Sequence, residues 1–234
     1  MMTEKKSIGI IGGMGPLATC DLMNRIITHT KADKDQDHIH IYVDCNTAIP
    51  DRTAAILGSG PDPLPQMLTS AQKLEQMGAQ LLIMPCNTAH YYYEKLTEQI
   101  HVPLLHMPRL TAARLRKEGV RCAAVLATDG TIRSGIYDDA LRREGIDAVK
   151  PEEEEQKLVM HLIYDCVKAG KEITDRESVL QLTESLRRKG AQRMILGCTE
   201  LPIAFEMLFL TEDTIDPTTV LAKEAIRMAG YEVR

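Results

Sequence analysis

The chain has no tryptophan, and aromatic residues make up only 4% of its 234 residues. Aliphatic side chains and methionine must therefore fill the hydrophobic core. The sequence also lacks an apolar run near the roughly 20 residues that a membrane-spanning helix needs. The charged segment Met1–Lys6 runs directly into a short apolar stretch, unlike a secretory leader. We therefore expect a cytoplasmic protein without membrane contact.

The chain also has no surplus of positive charge, since its net charge is −5 at pH 7. This charge argues against nucleic acid as a partner. The six cysteines form no C-x-x-C pair, and an H-E-x-x-H sequence is absent. With 44% hydrophobic residues, the chain can build a core without disulfides. We expect no metal and no disulfide, and most thiols should be small buried side chains.

Short apolar segments alternate with longer amphipathic ones, which indicates an α/β fold. Because the strand segments are almost continuously apolar, we expect parallel sheets buried on both faces. The predicted strands are Ser7–Ile11, Ile39–Asp44, Leu81–Met84, Leu104–Leu105, Cys122–Ala127, Ile146–Val149 and Met194–Leu196. The predicted helices are Leu64–Met77, Ala89–Gln99, Val179–Lys189 and Val220–Met228. A further helix is predicted to start at Pro151, with acidic residues in its first turn.

One pattern occurs twice. Gly78-Ala79-Gln80 precedes an apolar run that ends at Cys86, and Gly190-Ala191-Gln192 precedes one that ends at Cys198. The repeat predicts two α/β subdomains, residues 1–104 and residues 105–217, with a C-terminal helix in residues 218–234 that packs back on the first. The alternative is one larger doubly wound domain.

The two thiols fall at the carboxyl ends of predicted strands, which is where open α/β sheets bind their ligands. Each is followed by small polar residues suited to a helix start, where the helix dipole favours a thiolate. A single cysteine of this kind is more often a core residue, but two at equivalent positions indicate a function. A protease-like pair of Cys86 and His90 is an alternative, although it leaves Cys198 unexplained.

Two further features suit a carboxylate ligand. The loop Gly12–Gly15 follows a strand and lacks the dinucleotide and P-loop patterns, yet its backbone N–H groups could bind an anion. The alternative is a plain strand-to-helix turn. Arg52 lies in a polar loop and offers a planar fork for a carboxylate. The alternative interpretation is that Arg52 forms an ion pair with Asp51 on the protein surface.

Four segments together resemble the aspartate/glutamate racemase family, and the similarity is greatest to aspartate racemases that use no pyridoxal phosphate. They are Gly9–Pro16, Ile49–Thr53, Pro85–His90 and Leu196–Glu200. The resemblance runs from about Ile8 to about Met228. It implies two pseudo-symmetric α/β subdomains, each a mainly parallel sheet flanked by helices, with the active site in the cleft between them. It also implies a homodimer, no cofactor, and a small acidic amino acid as substrate.

The same resemblance implies residue roles. Cys86 and Cys198 would be the acid/base pair, with Cys198 acting on the L-enantiomer and Cys86 on the D-enantiomer. Arg52 would bind the side-chain carboxylate of the substrate, and Lys168 would also contact the substrate. The remaining substrate-binding positions would be Asn87, Thr88, Thr199 and Glu200 for the amino and α-carboxylate groups, and Met14 and Thr128 as lining residues.

The expected reaction is two-base racemisation of aspartate, and possible substrates include glutamate. Other readings keep this scaffold but change the reaction to that of a maleate isomerase, a hydantoin racemase or a malonate decarboxylase. Arg52 and Lys168 favour a substrate with a distal carboxylate, which argues against hydantoins. A non-catalytic dicarboxylate-binding protein is the alternative from another class, and the presence of both cysteines speaks against it.

Overall fold

The computed structural model describes residues 5–234. The first four residues of the charged segment Met1–Lys6 lie outside that range. The described residues form seven strands and eleven α-helices. The strands are β1 (Ile8–Gly12), β2 (Ile41–Cys45), β3 (Leu81–Ile83), β4 (Cys122–Leu126), β5 (Asp147–Val149), β6 (Arg193–Leu196) and β7 (Thr214–Ile215). The helices are α1 (Pro16–His29), α2 (Arg52–Ile56), α3 (Leu64–Met77), α4 (Tyr93–Thr97), α5 (Met107–Lys117), α6 (Asp129–Ser134), α7 (Ile136–Arg143), α8 (Glu153–His161), α9 (Arg176–Arg188), α10 (Glu200–Met207) and α11 (Pro217–Met228).

The chain divides into two compact units. Unit 1 runs to Leu110 and includes Thr218–Arg234, and unit 2 is Thr111–Pro217. The division in the structure falls inside α5, whereas the sequence places the boundary between residues 104 and 105. The prediction of parallel sheets flanked by helices is confirmed for both units, since all the strand pairs in the two sheets are parallel.

Unit 1 contains a three-stranded sheet in the order β2-β1-β3. Every residue of the central strand β1 is buried, because apolar clusters cover both of its faces. On one face α3 packs through Met67 and Leu74. On the other, Ile8 and Ile10 share a cluster with side chains of α1 and with Ile226 of α11. Buried apolar area of this kind is the main favourable contribution to folding.

Unit 2 contains a four-stranded sheet in the order β5-β4-β6-β7. Leu126 of β4 and Met194 of β6 lie in one apolar cluster with residues of α8, α9 and α10, such as Phe205. Phe205 is fully buried and is one of only two phenylalanines in the chain. Aliphatic side chains supply most of this cluster, as the shortage of aromatics predicts.

The strand prediction is wrong at Leu104–Leu105 and misses β7. Leu104 forms only an isolated parallel bridge with Leu82. Two hydrogen bonds make this bridge, from Leu82 N to Pro103 O and from Leu105 N to Leu82 O. Because Pro103 has no N–H and α5 begins at Met107, the pairing cannot extend. The missed strand β7 has only two residues, one of them a threonine, so it carries no apolar pattern.

Helix boundaries follow local chemistry. The prediction of α3 is confirmed, and Gly78 ends it in the left-handed conformation at φ 101°. The segment predicted as one helix over Ala89–Gln99 is instead a 3₁₀-helix, Thr88–Tyr92, followed by α4. The helix predicted to start at Pro151 starts at Glu153, because Glu152 acts as the N-cap and forms a capping box with Glu155.

The repeated Gly-Ala-Gln has the same structural role in both units. Gly78 and Gly190 have φ of 101° and 98° and follow α3 and α9. The side-chain oxygen of Gln80 accepts from Ser7 N at 3.2 Å, just before β1. The oxygen of Gln192 accepts from Arg121 N at 2.7 Å, just before β4. In each repeat the glycine therefore ends a helix, and the glutamine accepts a hydrogen bond from the backbone just before the central strand.

The cysteines only partly meet the expectation of burial. Cys86, Cys166 and Cys198 are buried and Cys122 is half-buried, but Cys20 and Cys45 are exposed. Cys20 lies on the outer face of α1, and Cys45 ends β2, which is an edge strand. None of the described helices is long and apolar enough to cross a membrane. Among residues 5–234, no group of His, Cys, Asp and Glu side chains is arranged to hold a metal ion.

Candidate active site

Unit 1 holds Cys86 three positions after the last residue of β3 and two positions before the 3₁₀-helix Thr88–Tyr92. The residue is 7% exposed, and its neighbours Asn87 and Thr88 are 3% and 6% exposed. Cys86 belongs to the same apolar cluster as Met14, which follows the glycines Gly12 and Gly13. The thiol is therefore largely shielded from solvent near the carboxyl end of a parallel strand, a common place for a ligand site.

The glycine loop before α1 is a tight strand-to-helix turn. Gly13 N donates to Thr19 Oγ1 at 2.9 Å, and Thr19 Oγ1 donates to Gly15 O at 2.9 Å. Gly13 has φ +89°, and a Cβ there would lie 2.3 Å from the Asn46 carbonyl, so only glycine fits. The Gly13 amide is used inside the turn, which favours the structural interpretation for that N–H group.

Arg52 is the first residue of α2, and its guanidinium ties two loops together. It donates to Met14 O at 3.2 Å, to Pro50 O at 2.9 Å and to Ile49 O at 3.3 Å. Asp51 caps α2, since its carboxylate accepts from Ala54 N at 2.7 Å. These bonds fix the guanidinium beside Met14, on the glycine loop.

His90 is a buried group that supports the Cys86 turn. Its Nδ1 lies 2.8 Å from Cys86 O, and its Nε2 lies 3.4 Å from Leu105 O. Burial lowers the pKa of His90 to about 4, although the carbonyl contacts act in the opposite direction. A neutral imidazole has one N–H, and the shorter distance favours Nδ1–H as donor to Cys86 O. His90 thus holds the backbone of Cys86.

Unit 2 holds Cys198 two positions after the last residue of β6 and two positions before α10, and the residue is 9% exposed. Its Sγ donates to Glu200 Oε2 at 2.9 Å. The hydroxyl of Thr199 donates to the same oxygen at 3.2 Å. Because Glu200 is the first residue of α10, a negative charge on its side chain interacts favourably with the positive end of the helix dipole. The carboxylate gives the Cys198 thiol a proton acceptor within hydrogen-bond distance.

Lys168 is the cation of this group in unit 2. Its Nζ lies 3.9 Å from Glu200 Oε1 and 4.4 Å from the centroid of the Tyr164 ring. It directly follows a π-helix, Leu162–Val167, which continues α8. π-helical turns are rare and occur frequently at functional sites. Thiol, carboxylate and ammonium thus form one connected polar group.

Thr128 lies after β4, and its contacts are structural. Its Oγ1 accepts from Thr131 N at 3.3 Å as the N-cap of α6, and its side chain is buried. The structure joins Met14 with Arg52 in unit 1, and Cys198, Thr199, Glu200 and Lys168 in unit 2. Sequence reasoning missed the structural roles of Thr19, His90 and Tyr164, of which only His90 belongs to a visible motif, C-N-T-x-H.

The two thiols have similar positions but different neighbours. Each follows the strand that pairs with the central strand on one side, β3 beside β1 and β6 beside β4. The residue two positions after Cys86 is Thr88, whereas the residue two positions after Cys198 is Glu200. A carboxylate partner on one thiol makes the two sites chemically unequal.

The sequence matches the Asp/Glu/hydantoin racemase family over residues 11–225. The chain belongs to this family. An aspartate racemase of Picrophilus torridus has a similar structure, with 32% sequence identity, a TM-score of 0.84, and coverage of 98% of this chain and 96% of that one. A broad-specificity amino-acid racemase of Bacillus subtilis (strain 168) is 27% identical over 225 residues, which is 94% of this chain and 96% of the relative.

A third similar protein is a glutamate racemase of Aquifex aeolicus (strain VF5), 29% identical over 136 residues, or 57% of this chain and 51% of the relative. Membership confirms the resemblance seen in the four sequence segments. It also supports the prediction that the chain is an enzyme of the racemase class.

Proposed function

We propose that this racemase-family protein converts aspartate between its enantiomers without a cofactor, with glutamate as a second substrate. The observation that carries the proposal is the buried Cys198 thiol, which donates a hydrogen bond to the Glu200 carboxylate. The other unit has a second buried thiol, Cys86, at the equivalent strand end. A racemase needs one group that removes the α-proton and a second that protonates the opposite face. Two such thiols supply both.

The reaction has two proton transfers. The Cys198 thiolate removes the α-proton of the L-enantiomer, and the electron pair of that bond stays on the substrate as a planar carbanion. The Cys86 thiol then delivers its proton to the other face, which yields the D-enantiomer. After turnover Cys198 is protonated and Cys86 is the thiolate, so the pair titrates as one coupled system. The reverse reaction begins at Cys86.

Glu200 is the proposed base for Cys198. Its Oε2 is 2.9 Å from the thiol sulfur, so it can take the thiol proton and leave the thiolate that attacks the substrate. Thr199 donates to the same oxygen and holds the carboxylate in that orientation. This role is added to the expected contact of Glu200 with the substrate amino group.

The substrate carboxylates are assigned to the two cations. Arg52, whose guanidinium is held by the Met14 and Pro50 carbonyls, would bind the side-chain carboxylate. Lys168 would bind the substrate from unit 2 and stabilise the charge that develops in the transition state. The other proposed substrate contacts are Asn87, Thr88 and Thr199, with Met14 and Thr128 as lining residues.

Aspartate is the first choice because the relative from Picrophilus torridus, similar over 98% of this chain, is an aspartate racemase. Glutamate differs by one methylene, and a pocket discriminates one methylene by only about 1–3 kcal/mol. The broad-specificity relative from Bacillus subtilis favours a second candidate, a racemase of wider range. We keep a homodimer and a cytoplasmic location as parts of the proposal, and sedimentation of the purified protein tests the first.

The decisive experiment is incubation with L-aspartate and L-glutamate, separately, in D₂O. Proton NMR follows loss of the α-proton signal, and polarimetry follows loss of optical rotation. Both should fall together, faster for aspartate. Neutral and basic amino acids test the wider range, and maleate tests the isomerase alternative. Absence of exchange with aspartate and glutamate would contradict the proposal.

Two variants assign the thiols. Cys198→Ser should stop exchange of the L-substrate proton while Cys86 still exchanges that of the D-substrate, and Cys86→Ser should do the opposite. Neither variant should racemise. Cys45→Ser, which changes an exposed cysteine in unit 1, is the matched control and should keep full activity. Exchange of the L-substrate at the wild-type rate in Cys198→Ser would exclude the assignment.

A further inference from the structure

The π-helix Leu162–Val167 changes which side chains share a face. Its hydrogen bonds join residues five apart, as in the bond from Lys168 N to Ile163 O at 3.0 Å. In an α-helix, residues five apart point in directions that differ by about 140°. The wider π-turn, with its i→i+5 hydrogen bonds, brings them much closer to one face. His161 and Cys166 are five apart, so the turn brings their side chains together.

His161, Asp165 and Cys166 form a thiol–imidazole–carboxylate chain. Cys166 Sγ lies 3.5 Å from His161 Nε2, and His161 Nδ1 lies 3.0 Å from Asp165 Oδ2. The imidazole therefore uses a different nitrogen for each partner. This order lets the imidazole take the thiol proton while the carboxylate orients the ring and stabilises its charged form. The proposed racemisation uses none of the three residues.

An open cavity adjoins this chain. It has a volume of about 570 Å³, and His161, Tyr164 and Asp165 are among its lining residues. It is large enough to hold a small molecule beside His161, the imidazole that contacts the Cys166 thiol. Cys166 itself is 6% exposed, so an unactivated thiol at this position would react slowly.

The charged groups around the imidazole are mostly acidic. Besides Asp165, the cavity is lined by Asp129, Glu153 and Lys157. Asp175, the N-cap of α9, interacts electrostatically with His161. Lys157 is paired with Glu153 at 3.6 Å and with Glu154 at 2.6 Å. This surplus of carboxylates favours a cationic reagent over an anionic one.

We infer that Cys166 is a covalent modification site, an activated thiol that forms a mixed disulfide with small disulfides bearing ammonium groups. Cys166 passes its proton to His161 Nε2, and the thiolate attacks one sulfur of the reagent. A new sulfur–sulfur bond forms as the old one breaks, and the leaving thiolate takes the proton back from the imidazolium. Cys166 is oxidised, and half of the reagent is reduced to a free thiol.

The test is a time course of the intact protein with cystamine at about pH 6.5, well below the pKa of about 8.5 of an ordinary free cysteine. Mass spectrometry of peptides gives the modification rate of each cysteine. The exposed residues Cys20 and Cys45 are internal references. Cys166 should react at least about tenfold faster than either, despite its burial. A rate equal to or below theirs overturns the inference without any variant.

Three variants separate activation from accessibility. His161→Asn and Asp165→Asn should slow Cys166 about tenfold and about threefold, respectively, and leave the rates of Cys20 and Cys45 unchanged. His29→Asn, in unit 1, is the control and should change none of the rates. Unchanged modification of Cys166 in folded His161→Asn would also overturn the inference.

The charge of the reagent is tested with dithiodiglycolate, a disulfide with two carboxylates. The ratio of cystamine rate to dithiodiglycolate rate should be at least about fivefold higher at Cys166 than at Cys45, since the cavity beside His161 carries the surplus of acids. Equal ratios would contradict the proposed preference for ammonium groups.

Discussion

The thiol of Cys198 donates to the carboxylate of Glu200 across a sulfur–oxygen distance of 2.9 Å. Only Thr199 separates the two residues in the chain. The end of β6 and the start of α10 meet at this point, so the contact forms inside one short turn. Because this turn contains a proton acceptor for the thiol, Glu200 is the first residue to replace by mutation.

Replacing Glu200 with glutamine should reduce kcat/KM for aspartate at least about 10²-fold, because an amide cannot accept the Cys198 proton. The loss should be equal in the two directions, since the equilibrium constant of a racemisation is unity. Circular dichroism with each enantiomer measures both rates. Glu206→Gln, at an exposed position of the same helix, should retain wild-type activity. A drop of less than threefold in Glu200→Gln would remove Glu200 as the base.

The Arg52→Lys variant tests carboxylate binding in unit 1. A lysine keeps the charge but cannot reproduce the fork that donates to the Met14, Ile49 and Pro50 carbonyls. KM for aspartate should rise about tenfold or more, equivalent to about 1.4 kcal/mol, with a smaller change in kcat. Steady-state kinetics measure both, and Arg116→Lys, at an exposed position of α5, is the control. A lower melting temperature with unchanged KM would assign Arg52 a structural role only.

Acid should destabilise the fold through His90. Its pKa is about 4 in the folded protein because the ring is buried, and about 6.5 when unfolded. The unfolded state therefore binds the extra proton between these values, and the free energy of unfolding falls as pH drops from about 6.5 to about 4. The contribution approaches about 3 kcal/mol and is fully present above pH 6.5.

Urea unfolding at several pH values measures this slope. His90→Asn should lose stability at neutral pH and show a shallower dependence below about pH 6.5. His101→Asn is the control, because the His101 side chain is 93% exposed and its loss should leave the slope unchanged. Equal slopes in wild type and His90→Asn would show that other groups cause the acid sensitivity.

The glycine turn gives a graded stability series. Gly13→Ala should cost at least about 3 kcal/mol, because φ is +89° and the new Cβ would lie 2.3 Å from the Asn46 backbone. Gly58→Ala should cost about 1 kcal/mol, since φ is +81° but nothing lies within 4 Å. Gly15→Ala, with open space and an extended backbone, should cost least. Thermal unfolding measures the order, and equal costs at Gly13 and Gly58 would contradict the close contact.

Much of the framework is visible in the sequence because apolar periodicity and glycine placement report local chemistry. The run Leu64–Met77 is amphipathic and meets Gly78, so both ends of α3 follow from residue types. The repeat containing Cys86 and Cys198 also predicts the equivalent strands β3 and β6, since burial on both faces demands continuous apolar residues.

Other features depend on contacts that no local pattern encodes. The two-residue strand β7 exists because β6 offers it an edge. The segment Leu162–Val167 has the composition of an ordinary helix, yet it forms a π-turn. The hydrogen bond from Cys198 to Glu200 depends on side-chain rotamers, which the sequence does not reveal. The sequence therefore predicts both as site residues, but with Glu200 in contact with the substrate and not with the thiol.

The π-turn amounts to one extra residue in the path from α8 to Lys168. If the six residues Leu162–Val167 were wound as a continuous α-helix without any deletion, every side chain beyond the segment would rotate by about 100° relative to α8. Lys168 would turn away from Glu200, and His161 would lose its alignment with the thiol. The π winding of this one segment is what keeps Lys168 in line with Glu200 and His161 in line with Cys166.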